Sequence, residues 1–304
     1  MRGRWLLKAL LLALLAIVAL TGGCTTATEP SAATEAPVAE KRSFDGERAY
    51  QYALDQCQIG PRPPGTEAGW ATGDYIMGQL EELGWEVEAQ EFDYQGVWLR
   101  NVIGKRGEGR VVVLGAHYDT RPVADQDPEH PNEPIVGAND GASGVAVLLE
   151  LAGVLDQYEL ENEVWLAFFD GEDSGHLEGW PFCVGSAYMA EHLTVEPDWV
   201  IVVDMVGDAD QQLYYEGNSD QALRQRLWAI AANLGYETFV PEVRYSMVDD
   251  HVPFLNEGIR AVDIIDFDYP YWHTIEDTSD KVSPESLESV GRVLEELLVG
   301  DDTG

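Results

Sequence analysis

The stretch RVVVLGAHYDT, residues 110–120, decides the fold. Val111, Val112, Val113 and Leu114 form a continuous apolar run without the alternation of a half-buried strand. Such a run marks a strand covered on both faces, as in a sheet held between helices. It ends abruptly in His117, Tyr118 and Asp119, so polar groups appear where the strand leaves the sheet. Outward from there, EVWLAFFDGED (163–173) and DWVIVVDMVGD (198–208) repeat the pattern, and IRAVDIIDF (259–267) supplies a fourth apolar strand. Between and after them, GASGVAVLLELAGVLDQY (141–158), QALRQRLWAIAANLG (221–235) and SPESLESVGRVLEELL (283–298) read as helices, the last with a capping signal. Upstream, DGERAYQYALDQCQ (45–58) and TEAGWATGDYIMGQLEELG (66–84) read as amphipathic helices broken by GPRPPG (60–65). WEVEAQEFDY (85–94) and WLRNVIGKRG (98–107) read as strands. Buried strands alternating with helices predict an α/β three-layer sandwich, a mixed and mostly parallel sheet flanked by helices.

The chain has 304 residues, 45% of them hydrophobic, with nine Trp and thirteen Tyr. That is enough for a substantial core, and one catalytic domain over 44–304 is expected. Acids outnumber bases 55 to 18, a formal charge of -37. This argues against nucleic-acid binding, which needs clustered Lys and Arg; the acidity suits solubility outside the cell. Residues 1–23 carry Arg2, Arg4 and Lys8, then an apolar run, then small residues, the pattern of an export signal. Cys24 after Thr21-Gly-Gly resembles a bacterial lipobox, with Thr21 where Leu is usual, and lipidation of Cys24 is expected. Residues 24–43 form a Thr/Ala/Pro/Glu-rich tether with no core pattern. The expected location is extracytoplasmic, as a membrane-anchored lipoprotein or a secreted protein. Cys57 and Cys183 then lie outside the cytosol, where pairing is open to them.

The polar residues gather at strand ends. His117 and Asp119 end the first buried strand, Asp170, Glu172 and Asp173 the second, and Asp204 the third; Asp140 sits in GANDGASG (137–144), where a helix begins. In open α/β sheets, ligands bind outside the carboxyl ends of the strands. Imidazole and carboxylates at one sheet edge suit a zinc ion. Taken singly, an Asp at a strand end caps a turn or a helix. Their ordered recurrence in an apolar setting points to a metal instead. No HExxH helix is present, which sets the thermolysin type of zinc site aside.

GAHYDTRPVADQDP (115–128), GANDGASGVAVLLELA (137–152), FFDGEDSG (168–175), DDHVPFL (249–255) and WHTIEDT (272–278) occur in that order. They resemble the motifs of the zinc aminopeptidases with a phosphorylase/hydrolase-like α/β fold. The closer resemblance is to the glutaminyl-peptide cyclotransferase branch of that superfamily, in its animal-like and bacterial forms, and it covers the chain after Phe44. It implies Asp140, Asp173 and His273 as zinc ligands, Glu172 as catalytic acid/base and Trp272 as a wall of the substrate pocket. His117 and Asp204 match the ligands of a second metal in the two-zinc aminopeptidases, where Asp140 bridges. Asp249 precedes Asp250 and His251 at a place where the cyclases carry two acids and the aminopeptidases more often Ser before Asp-His. In the cyclases that first acid hydrogen-bonds the residue matching Asp204. Such a pair shares a proton, since two close like charges do not both ionise cheaply, and this draws Asp204 away from a second metal.

The implied activity is cyclisation of an N-terminal glutamine of peptides or proteins, with release of ammonia, on one zinc. Glu172 takes a proton from the α-amine and returns it to the leaving ammonia, Asp204 and Asp249 holding the leaving amide. The alternative is a zinc aminopeptidase with one or two ions, in which Glu172 activates water. This chain departs from the animal cyclases at Asp173, where they have Glu, and at Asp263, where they have His; its NDGASG is closer to the peptidases. The full ligand set with Glu172 argues against a binding lipoprotein without chemistry, and the lack of an EF-hand loop against a calcium module. His130, His176 and His192 are expected on the surface, His251 as a helix-start or packing residue, and Trp180 in a structural role. Asp119 is expected to orient His117.

Overall fold

The computed structural model describes residues 42–300. The expected export signal, Cys24 and the tether up to residue 41 lie outside the described residues. In chain order the elements are α1 (Gly46–Ile59), α2 (Glu67–Glu82), β1 (Glu86–Tyr94), β2 (Val97–Arg106), β3 (Val111–His117), α3 (Ala142–Leu155), β4 (Glu163–Phe169) and α4 (Val184–Glu191). There follow β5 (Trp199–Asp204), β6 (Leu213–Glu216), α5 (Gln221–Leu234), β7 (Phe239–Tyr245), α6 (His251–Asn256), β8 (Ala261–Ile265) and α7 (Pro284–Val299).

Six strands form one sheet in the order β1-β2-β4-β3-β5-β8. β4, β3, β5 and β8 run parallel, while β1 and β2 are antiparallel at one edge, so the sheet is mixed as expected. In register, His117 stands opposite Phe169 and Asp204 opposite Ile265. The carboxyl ends of the parallel strands therefore share one rim. β6 and β7 pair in a separate small sheet.

All of β3 and β5 is buried, because helices cover both faces. Alternation along the strand divides the core. Val112, Leu114 and Ile201 pack with α3 and α7 on one face, and Val113, Val202 and Phe169 with Phe254 of α6 and Met189 of α4 on the other. Each such aliphatic side chain contributes about 1.5–3 kcal/mol when fully buried. α3 is buried along its whole length, which explains why it reads as apolar all round rather than amphipathic. Its close approach to β5 needs Gly144, since a Cβ there would stand 2.2 Å from the Val203 carbonyl oxygen.

The elements that sequence periodicity does not foreshadow are α4, β6, β7 and α6. β6 and α6 are too short to show a period, and β7 alternates weakly around Pro241 because most of that strand is exposed. Cys57, on α1, and Cys183, just before α4, are both free thiols.

Candidate active site

Each candidate residue is delivered by a strand end or by a turn tied to one. His117 is the last residue of β3 and Asp204 the last of β5. Asp140 sits in the turn that starts α3, with Gly137 and Gly141 at φ 63° and 98°. Its main-chain N–H donates to Asp277 Oδ2 at 3.1 Å, and that of Asn139 to Asp277 Oδ1 at 2.9 Å. The Tyr269 hydroxyl donates to the same Asp277 carboxylate at 2.7 Å. Arg62, fully buried, donates to the carbonyls of Tyr118, Val136 and Gly137, tying the β3 exit to the Asp140 turn.

Asp119 has a larger task than orienting His117, whose Nδ1 is 3.5 Å from Asp119 Oδ1. Its Oδ1 accepts the Glu172 N–H at 3.0 Å and its Oδ2 the Asp173 N–H at 3.1 Å. One buried carboxylate thus holds the backbone of two candidate residues in place.

Two donor groups share Asp140. In one, His117 Nε2 is 3.2 Å from Asp140 Oδ1 and 3.0 Å from Asp204 Oδ1. In the other, His273 Nε2 is 3.0 Å from Asp173 Oδ1 and 3.9 Å from Asp140 Oδ2. The ligand atoms of each group lie within 4.8 Å of one another. Asp140 Oδ2 and Asp173 Oδ2 are buried without a hydrogen-bond partner. Asp125 Oδ1 faces His273 Nδ1 at 3.0 Å, which leaves Nε2 for the centre. Histidine nitrogen, carboxylate oxygens and orphaned buried acceptors are a donor set that fits zinc.

The electrostatics agree. Burial pushes Glu172 well above the usual carboxylate range, with Asp250, Asp249 and Asp173 adding to the rise and His117 opposing it. Burial and the neighbouring Asp140 bring Asp173 up to about 6. Burial brings Asp204 up to about 7, opposed by His117 and reinforced by Asp249. Asp263, on β8, is pushed well up by burial and by Asp249, Asp204 and Glu216. So many carboxyls in low dielectric favour a cation among them.

A cavity of about 160 Å³ opens onto these groups, with Glu172, Asp173, Asp204 and Asp249 on its polar side. Met247, Phe267 and Trp272 form its apolar side. The Trp272 ring stacks on His273 with centroids 3.7 Å apart. Trp180 is elsewhere, edge-on to Tyr94 and lining a separate cavity with Pro63, Pro122 and Leu177. His251 opens α6 and is buried beside Glu216, its Nε2 3.1 Å from Oε2. His130, His176 and His192 are exposed. Asp277, Asp125, Arg62 and Cys183 are the contributors that sequence reasoning missed. The first two lie inside the quoted motifs, four residues after His273 and eight after His117, but nothing in a lone acid marks it as a partner.

A model of the family described as Peptidase family M28 matches residues 101–298. The glutaminyl-peptide cyclotransferase of Drosophila melanogaster is 26% identical over 320 residues, covering 90% of this chain and 87% of that protein. Among solved structures, the Bacteroides thetaiotaomicron glutaminyl cyclase bound to N-acetylhistamine is 33% identical at a TM-score of 0.81, covering 87% of this chain and 100% of that one. A leucine aminopeptidase precursor from the same organism is 34% identical, also at 0.81, covering 88% and 100%. The matched span holds the whole carboxylate–imidazole cluster and the strands that deliver it, and the chain belongs to Peptidase family M28.

Proposed function

We propose that the protein is a zinc-dependent glutaminyl-peptide cyclotransferase that converts the N-terminal glutamine of peptides or proteins to pyroglutamate and releases ammonia. The observation that carries this reading is the placement of the Glu172 and Asp249 carboxyls within 4.8 Å of each other on the wall of the cavity. Ring closure uses no water. It needs one group to move a proton from the α-amine to the departing nitrogen, and another to hold that nitrogen. Glu172 takes the proton as the amine attacks the side-chain carbonyl carbon, and returns it as the C–N bond breaks. Asp249 and Asp204 accept hydrogen bonds from the leaving amide. Trp272 and Phe267 pack on the aliphatic part of the glutamine, holding both ends of one residue in near-attack geometry. Asp140, Asp173 and His273 would hold a single zinc, which supplies Lewis-acid polarisation of the amide carbonyl when bound. The relatives named as glutaminyl cyclases support the reading.

A second reading, a two-zinc aminopeptidase, is favoured by Asp140, whose Oδ1 faces His117 while Oδ2 faces His273, the arrangement of a bridging carboxylate. One assay separates them: glutaminyl and leucyl naphthylamides as substrates, with the metal counted by mass spectrometry. Ammonia from the glutaminyl substrate with one zinc supports cyclisation. Naphthylamine from the leucyl substrate with two zincs overturns it. Glu172→Gln is expected to lose roughly 10²–10⁴-fold in turnover and to keep its zinc. The signal, Cys24 and the tether support an extracytoplasmic lipoprotein. Cys24→Ala is then expected in the soluble fraction, and unchanged fractionation refutes the anchor.

A further inference from the structure

Cys183 grips Glu172 at two points. Its Sγ lies 3.5 Å from Glu172 Oε1, and its main-chain N–H donates to the Glu172 carbonyl at 3.2 Å. Among the described residues, this thiol is the hydrogen-bond donor on the Glu172 carboxyl. Sγ, the Glu172 carboxyl and the Asp249 carboxyl lie mutually within 4.8 Å, all buried. Burial, with Glu172, Asp250 and Asp249 close by, keeps the proton on sulfur.

The backbone gives an independent observation. Cys183 is at φ 63°, ψ 36°, the left-handed region that glycine enters freely and a residue with a Cβ enters at a cost. Glycine would serve the turn between Trp180 and α4 better. A strained non-glycine residue whose side chain meets the proton carrier is the arrangement expected where strain serves the site.

We propose that Cys183 is a positioning residue for Glu172. Its S–H donates to Oε1 and fixes the carboxyl in one rotamer, leaving the other oxygen to exchange the proton with substrate. The proposal rests on Glu172 being the acid/base, and it holds for ring closure and for hydrolysis alike. It differs from a packing role in what removal of the thiol does. A packing residue loses stability. A positioning residue loses turnover at constant KM.

The test uses the full chain with Cys183→Ala, Cys183→Gly and Cys183→Ser. Gly suits the left-handed backbone and removes the thiol without adding strain, so it separates positioning from folding. Ala and Gly are expected to lower kcat about tenfold, the scale of one hydrogen bond, with KM and zinc content close to wild type and the fold retained. Ser, which keeps a donor, is expected to hold kcat within about threefold. A second readout does not depend on turnover. The infrared S–H stretching band of Cys183, isolated as the difference between wild type and Cys183→Ala, is expected to move to higher frequency in Glu172→Ala and in Glu172→Gln. Wild-type kcat in folded, zinc-loaded Gly and Ala variants overturns the proposal, as does a band that ignores both Glu172 substitutions. If neither glutaminyl nor leucyl substrate turns over even in the wild type, the functional reading has failed, and the band still decides whether the thiol holds the carboxyl.

Discussion

Asp119→Asn tests whether one carboxylate organises the site. Asp119 is fully buried and spends both oxygens on main-chain N–H groups, those of Glu172 at 3.0 Å and of Asp173 at 3.1 Å. A hydrogen bond to a charged acceptor is worth about 1.5–3 kcal/mol, and an orphaned buried N–H costs about 1–3 kcal/mol. Asn keeps the shape and one acceptor, but its NH₂ group then faces a main-chain N–H, donor against donor. The two figures overlap, because losing the partner is what orphans the N–H, so the net cost is about 2–4 kcal/mol. Against a total stability of about 5–15 kcal/mol, that is a large fraction but not unfolding. Tm should fall by roughly 5–15 °C. The specific consequence is functional, since the displaced backbone carries the proposed base and a proposed zinc ligand together. Urea denaturation gives the stability change, mass spectrometry the zinc content, and ammonia release the turnover. Both zinc affinity and kcat should drop in the Asn variant while the fold persists. An Asp119→Asn protein with wild-type stability and turnover would refute the reasoning, because no water-mediated substitute can satisfy two N–H groups in so closed a place.

Asp173→Ala and His273→Ala should each abolish zinc retention after dialysis, and the same loss should follow chelation of the wild type; metal held at wild-type stoichiometry in either variant contradicts the ligand assignment. Glu216 supplies a pH dependence away from the metal ligands. Burial alone would raise it, but hydrogen bonds from His251, the Asn218 N–H and Ser219 hold it down to about 2 from 4.5. A depressed carboxylate stabilises the fold fully above its unfolded pKa and loses that contribution as pH falls through the folded one. Glu216 should therefore contribute roughly 3 kcal/mol above about pH 4.5, declining toward pH 2. Glu216→Gln should be less stable at pH 5 and converge with wild type in urea titrations near pH 2.5, and a gap that stays constant over that range would count against it.

The sheet and the cluster at its rim were legible in the sequence for a physical reason. β3, β4 and β5 are covered on both faces, so they appear as apolar runs, and each run breaks where the strand reaches the rim. That is why His117 and Asp204 stand out. Asp277 and Asp125 do not, because a carboxylate that accepts main-chain N–H groups, as Asp277 does, or faces a histidine ring distant in sequence, as Asp125 does, looks in sequence like any turn residue. Cys183 was invisible for a different reason: its contact with Glu172 depends on a left-handed turn that no local pattern dictates. The small β6–β7 sheet escaped because its outer face is solvated and its pairing is broken by register shifts after Tyr214 and Tyr215.

The non-glycine residues in left-handed backbone complete the physical picture. Three of them, Cys183, Met205 and His273, border the cavity or touch a residue on its wall. Each conformation costs about 1–2 kcal/mol, and together they consume a considerable part of a typical fold's stability. Met205 and His273 are fully packed, so neither is free to leave its conformation alone. What offsets them is the sheet beneath. Because β3 and β5 are apolar up to their last residues and covered on both faces, the strand ends stay rigid, and the strained turns have no looser state to relax into. Strain at the rim and an uninterrupted core below it are therefore one design. Loosening the core, for example at Val203 beneath Gly144, should let the turns relax and cost metal binding before it costs the fold.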